Sequence, residues 1–270
     1  MSADEGLPIA PIRRLWLYAI GAMVMFFLMA PSLIIIPMSF SDSQFLEFPP
    51  PAWSLRWYHA YFDSVEWRDA TYVSIKAAIA TTLVATPLGT AAAYALHAGK
   101  VRLAGLMEGF LLVPLIVPVI LIGIGTFFLY AWIGINNTIL GLVIAHTVLA
   151  LPLVAITVLS GLQTYDMNQE LVARSLGANR WRAFSQVTLP QIRFSVVSGA
   201  LFAFTTSFDE SVVSFFISGG DTSTLTRRMF SALRDQIDPT IAAISSCLIA
   251  LSIILITLAQ TLGRRRAGST

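Results

Sequence analysis

Charge is scarce in this chain. Of 270 residues only 12% are Asp, Glu, Lys or Arg, 56% are apolar, and the mean hydropathy is +0.74. A soluble domain carries about 25% charge, so 17 Lys and Arg with 15 Asp and Glu cannot cover a water-soluble catalyst of this length. The net charge of +2 also lacks the basic face that nucleic acid requires. Cysteine is nearly absent: Cys247 alone, in an apolar run, can neither close an internal disulfide nor build a thiolate metal cluster, and reads as a small buried hydrophobe. No Gly-x-x-x-x-Gly-Lys-[Ser/Thr] run occurs, so the chain has no phosphate-cradling loop of that kind. The three histidines, His59, His97 and His146, fall at or within different spans with no convergent nucleophile motif, which leaves Ser/His/Asp and Cys/His catalysis unsupported. There is no repeat of 20 to 50 residues, no low-complexity tract, and none of the alternation of a transmembrane barrel.

Long apolar runs are what the chain does have. A bilayer core of about 30 Å needs roughly 20 apolar residues as helix, and six stretches qualify: 15–37, 74–96, 109–135, 138–162, 195–219 and 240–262. The first is uncharged for 23 residues, longer than the apolar core of a cleaved signal peptide, and reads as a retained anchor. Pro87, Pro114, Pro118, Gly123, Gly125 and Pro152 within the later runs predict kinked helices in a bundle, where neighbours satisfy the freed carbonyls. An even count places both termini on one side. Arg13, Arg14, Lys100, Arg102, Arg174, Arg180, Arg182, Arg193, Arg264, Arg265 and Arg266 then make eleven basic residues inside, against five outside: Arg56, Arg68, Arg227, Arg228 and Arg234. The excess predicts cytoplasmic termini. Lys76, near the outer end of the second run, snorkels outward. Eight outer carboxylates make that face mildly acidic and tolerant of a cationic solute. The expected organisation is a cytoplasmic tail (1–14), one membrane domain (15–262) and a second cytoplasmic tail (263–270). The outer connection 40–69 carries Pro49, Pro50, Pro51 and an aromatic belt of Trp53, Trp57, Tyr58, Tyr61 and Phe62.

The longest inner connection, 163–193, spans 31 residues and is patterned rather than linker-like. Asp166, Met167 and Asn168 offer a helix cap, Gly177 a positive-φ stop and Pro190 a second stop, predicting two short helices around a glycine. Trp181, Phe184 and Val187 form an apolar face pointing away from Arg180 and Arg182. Such a hairpin either lies on the membrane surface or docks into the groove of a soluble partner.

These residues resemble the inner-membrane permease subunits of ATP-binding-cassette importers. The signature of those proteins is Glu-Ala-Ala, three residues, Gly, nine residues, Ile, any residue, Leu-Pro. Here nine residues separate Gly177 from Val187, followed by Thr188 and Leu189-Pro190. The left half departs: Leu171 stands in the glutamate slot, Val172 and Ala173 in the alanine slots, and Glu170 is one position early. Either Glu170 assumes the glutamate's role or the contact is apolar. The resemblance, from about residue 74 onward, implies an all-α membrane protein with an importer-permease bundle of six transmembrane helices. It implies an ATPase-coupling role for Glu170, Leu171, Ala173, Gly177, Trp181, Phe184, Leu189 and Pro190. Its implied partners are a second homologous permease, two ATPase subunits that bind ATP and Mg, an external solute-binding protein and membrane lipid. The implied location is a bacterial inner membrane, crossed several times.

Intramembrane carboxylates cost about 2.5 to 3.5 kcal/mol on insertion scales, so Asp209 and Glu210, expected mid-span in the fifth run, face either a structural partner or a cation path. The stretch Ser-Phe-Asp-Glu-Ser-Val-Val-Ser-Phe-Phe (207–216) resembles the second permease of spermidine/putrescine importers. That implies a polyamine solute, with Asp209, Glu210, Ser207 and Thr206 along its path. Other small amines, amino acid derivatives or phosphonates are the alternatives within the family. Thr205, Thr206 and Ser207 line a polar path or join helices, His146 is expected to hydrogen-bond between helices, Asn136 and Asn137 to form a turn, and Glu108 to sit at the inner interface. Two rivals come from other classes. An ion-driven carrier would use Asp209, Glu210 and His146 as a relay but normally shows an internal repeat, and a scaffold would explain the loop without the buried acids.

Overall fold

Backbone that must satisfy its own hydrogen bonds in lipid becomes helix, and the computed structural model, which describes residues 15–99, 104–235 and 237–267, contains helices and no named strand among those residues. The chain divides into two units, Met1–Ser64 with Ala232–Thr270, and Val65–Ser231.

In the first unit, α1 (Leu15–Ser39) packs along α12 (Thr240–Ala267), and α2 (Arg56–Asp63) lies against α12. Most of α1 is exposed, as an apolar anchor in lipid would be. The connection after it is tied down: Ser39 Oγ lies 2.7 Å from the Tyr58 hydroxyl, Trp57 Nε1 donates to the Ser43 carbonyl at 3.1 Å, and the Phe40 and Tyr58 rings are 5.1 Å apart. On α12 the residues Ile241, Ala242, Ala243 and Ile244 are buried, and Cys247 is half-buried rather than fully enclosed.

The second unit is built on a triangle of α3 (Val65–Ala98), α6 (Ile139–Thr164) and α9 (Leu189–Asp209). Small residues set its spacing. A Cβ on Gly89 of α3 would lie 2.7 Å from the Val154 Cβ on α6, and one on Gly199 of α9 would lie 3.2 Å from Val154 Cγ1. Val154 therefore seats between two glycines, the close approach by which membrane helices gain van der Waals contact. Ala85, Ala93, Ala150, Val158, Leu162 and Ile192 continue this core toward the inner loop. A second core of Val73, Ala77, Tyr130, Leu142, Val213 and Ile217 lies toward the other end. It joins α3 and α6 to α5 (Val119–Ile133) and α10 (Val212–Ile217).

Two expected spans are interrupted. The run 109–135 is not one kinked helix. It is α4 (Ala104–Ile116) and α5, bent by 97°. Pro118 lacks an N–H and drives Val117 out of the helical region, so Pro118 caps α5 with ψ 125°. The run 195–219 is also divided: α9 ends at Asp209, Glu210 is extended at ψ 112°, and α10 follows. Among the described residues four helices are long and apolar enough to cross a membrane, and the bent pair makes up to five. The sixth expected span falls on α12, apolar over Thr240–Ile254 as a shorter helix. Lys76 is exposed on α3 and Glu108 on α4, whereas Arg13, Arg14, Lys100 and Arg102 lie outside the described residues.

Candidate functional site

The connection 163–193 folds as α7 (Asn168–Ser175), a glycine turn and α8 (Arg180–Ala183). Asp166 Oδ1 accepts the Asn168 N–H at 3.0 Å, and Asn179 Oδ1 accepts the Arg182 N–H at 2.8 Å, so each helix starts on a side-chain carboxylate or amide oxygen. Gly177 has φ +94°, and the Gly177 and Ala178 N–H groups close on the carbonyls of Arg174 and Ala173. The positive-φ stop expected from the sequence is present. Pro190 is not a stop. From Arg180 the chain runs through α8 and a π turn (Phe184–Thr188) directly into α9, where Pro190 occupies the first turn and needs no N–H partner.

Glu170 is the centre of this arrangement. Its side chain is 3% exposed. Oε1 accepts the Tyr94 hydroxyl of α3 at 2.5 Å, and Oε2 accepts the Thr188 hydroxyl of the π turn at 2.6 Å. One carboxylate thus ties α7 to α3 and to the π turn that runs into α9 through charge-assisted bonds, each of the stronger kind at about 1.5 to 3 kcal/mol. Its neighbours face outward: Leu171 is 54%, Val172 58% and Leu176 85% exposed. Glu170 is an internal brace, and the free face of α7 is mixed, with Leu171 and Val172 beside the exposed Asn168, Gln169 and Ser175.

Beside the brace, the Tyr94 and Phe184 rings lie 4.7 Å apart, Trp181 extends the stack at 6.1 Å from Phe184, and the Arg180 guanidinium sits 5.6 Å from the Tyr94 ring centre. Arg180 therefore shares the side of Phe184 and Trp181 instead of opposing it, because the Tyr94 ring face attracts the cation. Ala173 and Leu189 are half-buried.

A polar spine crosses the bundle near the other end. His146 is fully buried, with Nδ1 2.8 Å from Ser207 Oγ and Nε2 3.0 Å from Ser214 Oγ, and Ser207 donates to Thr81 Oγ1 at 3.3 Å. With the Ser207 proton given to Thr81, Nδ1–H donates to Ser207 and Nε2 accepts the Ser214 hydroxyl. The spine joins α3, α6, α9 and α10, which makes His146 the helix-to-helix bonder expected and places Ser207 in the glue rather than on a free wall.

The acid pair separates in role. It stands at the end of α9, not mid-span. Glu210 Oε1 accepts the Val213 N–H at 2.6 Å, capping α10, and its carbonyl oxygen takes the Thr226 hydroxyl at 3.0 Å. Those bonds replace the helical ones and stop α9. Asp209 is exposed, and Thr206 is half-buried one turn earlier. Nearby, α11 (Leu225–Asp235) holds Arg228 against Glu66 and 5.1 Å over Trp67. Burial holds the Arg227 guanidinium below its ordinary value. Tyr94, Thr188, Thr81 and Ser214 carry these networks without any signal in the sequence, since their partners stand 18 to 126 positions away.

The family described as binding-protein-dependent transport system inner membrane component matches residues 85–268. The chain belongs to that family. It is similar to the spermidine/putrescine transport system permease protein PotC of Haemophilus influenzae, with 30% identity over 255 residues, 94% of this chain and 97% of the relative. It is also similar to the putrescine transport system permease protein PotI of Escherichia coli, with 29% identity over 91% of this chain and 89% of the relative. Among solved structures, a bacterial ABC transporter involved in alginate import shares the fold at TM-score 0.69 and 12% identity, covering 98% of each chain. Another, a bacterial alginate ABC transporter in complex with a pentasaccharide-bound periplasmic protein, does so at TM-score 0.65 and 15% identity, covering 90% of this chain and 93% of the other. The chain is accordingly a multi-pass permease subunit of an ABC importer. Its family sets aside the ion-driven carrier and the scaffold.

Proposed function

We propose that this permease carries a small cationic solute of the polyamine class inward, with the power stroke received on α7 and transmitted by Glu170. The Glu170 brace is the observation that carries the coupling half. A force on the exposed side chains of Leu171, Val172 and Leu176 reaches α3 through Tyr94 and, through Thr188, the π turn that runs into α9, and packed helices shift between discrete arrangements rather than deforming continuously. ATP and Mg belong in this reading to two partner ATPase subunits, with α7 seated in a cleft of one of them. Ala173, Gly177, Trp181, Phe184, Leu189 and Pro190 set the angle of the hairpin that transmits the movement. A second, homologous permease completes the path and an external binding protein delivers the solute, an assembly supported by the complex that a neighbouring fold forms with a periplasmic protein. Both termini and the hairpin are cytoplasmic, on the eleven-to-five distribution of basic residues.

The polyamine half rests on the relatives' substrates and on the exposed carboxylate of Asp209 at the end of α9. Thr206 lies alongside on the same helix, while Ser207 and Glu210 hold α9 to its neighbours. The test is ATPase activity of the complex purified through this chain, with its binding protein and a panel of polyamines, amino acids and phosphonates. Stimulation by polyamines alone is the expected result. Stimulation by another class overturns the solute, and a complex with no ATPase subunit overturns the coupling.

A further inference from the structure

Two cores share the second unit, and the chain crosses between them three times. On α3 the seam falls between Ala77 and Ala85, on α6 between Leu149 and Ala150, and from α9 to α10 between Ala203 and Val213. Each crossing lacks a backbone hydrogen bond at or beside the seam. Pro87 has no N–H for the Leu83 carbonyl, Pro152 has none for the Val148 carbonyl, and α9 has already stopped at Asp209. A bend at the seam therefore costs less backbone bonding than a bend elsewhere in α3 or α6.

On α3 the groups for a second, bent state are already in place. The Thr86 and Thr90 hydroxyls are buried and make no hydrogen bond, whereas Thr71, Thr82, Thr147 and Thr157 each donate to the carbonyl four residues back. Enclosure shuts out solvent, so a rearrangement of the chain must supply the missing acceptors. Thr86 stands three residues after Leu83, and a helical threonine reaches the carbonyl three or four residues back. One turn of α3 thus holds a carbonyl without its helical donor and a hydroxyl without an acceptor, unjoined. The seam of α6 has no such pair, for Leu151 stands three residues after Val148. The unjoined state is held from outside the turn: Gly89 packs on Val154 with no room for a Cβ, and Tyr94, seven residues past Pro87, donates to Glu170. The other half of α3 is fixed separately, Ser74 Oγ accepting the Leu225 N–H and Thr81 Oγ1 accepting from Ser207.

We propose that α3 is a two-state lever hinged at Pro87. In its second state the arm 88–98 tilts about the Gly89–Val154 contact and the Thr86 hydroxyl donates to the Leu83 carbonyl. The core around Val154 follows as a body, because packed cores shift between discrete arrangements. The arm is eleven residues, about 16 Å long, so a tilt of about 20° carries its end about 5 Å. The hinge stands on α3 alone, while its use in transport rests on the coupling role proposed for Glu170.

The experiment is a spin-label distance measurement on the complex purified through this chain, in nanodiscs, without nucleotide and with ATP trapped by vanadate. Labels go on Ala95→Cys in the arm and on either Phe128→Cys of α5 or Leu140→Cys of α6, all exposed positions, in a Cys247→Ser background. Two distance populations up to about 5 Å apart, exchanged by nucleotide, are the expected result. Thr86→Val removes the donor of the second state and lowers its population about fivefold, the worth of one neutral hydrogen bond. Pro87→Ala, at an exposed position where alanine suits a helix, returns an N–H to the Leu83 carbonyl and leaves one population. Thr82→Val, whose hydroxyl is already bonded, behaves as wild type. A single unchanged distance for both label pairs, or wild-type behaviour of either Thr86→Val or Pro87→Ala, overturns the hinge and leaves the brace standing. Glu170→Gln tells the two apart: both populations present but indifferent to nucleotide support a hinge driven through Glu170, and a full nucleotide response overturns the brace while supporting the hinge.

Discussion

Removing the Glu170 carboxylate should damage both folding and coupling, and in separable amounts. The carboxylate is 3% exposed and accepts two hydroxyl bonds of 2.5 and 2.6 Å. With about 1.5 to 3 kcal/mol for each hydrogen bond to a charged group, Glu170→Ala should destabilise the subunit by about 3 to 6 kcal/mol, because both bonds go and two donors stay behind. Glu170→Gln keeps the shape and one acceptor oxygen, and should lose about half of that. A double-mutant cycle between Glu170→Gln and Tyr94→Phe isolates the contact: coupling of about 1.5 kcal/mol or more is expected for a charge-assisted pair. Thermal unfolding in detergent measures these terms, and solute-stimulated ATPase against transport in proteoliposomes reads coupling. Glu170→Gln should retain ATPase activity while transport per ATP falls. If Glu170→Ala unfolds like wild type and transports with the same stoichiometry, Glu170 is not the brace and α7 moves independently of α3.

Gly177, at φ +94° with open space where a Cβ would stand, should tolerate Asn better than Val, the β-branched change costing about 1 to 2 kcal/mol of backbone strain and lowering transport per ATP; equal transport by both variants would deny the turn a role. His146→Leu should strand the Ser214 hydroxyl at about 1 to 3 kcal/mol and leave Ser207 only its bond to Thr81, lowering the unfolding temperature, and Ser214→Ala in that background should recover part of it. Asp209→Asn should raise the half-saturating concentration of a polyamine about 2- to 5-fold, the worth of an exposed ion pair, without loss of assembly. Glu210→Ala should instead destabilise by about 1 kcal/mol through the lost α10 cap, and a polyamine effect larger than that of Asp209→Asn would reverse the two assignments.

The all-helical membrane class, the patterned loop and the Gly177 turn were legible because each depends on neighbours in sequence: hydropathy over twenty residues and a glycine between two short helical segments. The breaks at Pro118 and Glu210 were only half legible. Proline announces that a helix is disturbed, but whether it kinks or turns by 97° depends on what α5 finds to pack against, and here that is α10. Glu210 looked like a mid-span charge because nothing local shows that the N–H of Val213 and the hydroxyl of Thr226 would draw it out of the helix.

The displaced glutamate shows where sequence stops. Counting from Gly177 places Leu171 in the signature position and leaves Glu170 unexplained, because helix spacing gives the angle between two adjacent side chains but not which of them meets the bundle. Tyr94 and Thr188, 76 positions before and 18 after, settle that. Composition and periodicity determined that the chain must be a helical bundle in lipid with one amphipathic hairpin outside it, since burial and backbone satisfaction act on every residue alike. Which polar groups face one another across that bundle was decided only in three dimensions, because a hydrogen bond needs two atoms within about 3 Å and chain distance says nothing of that.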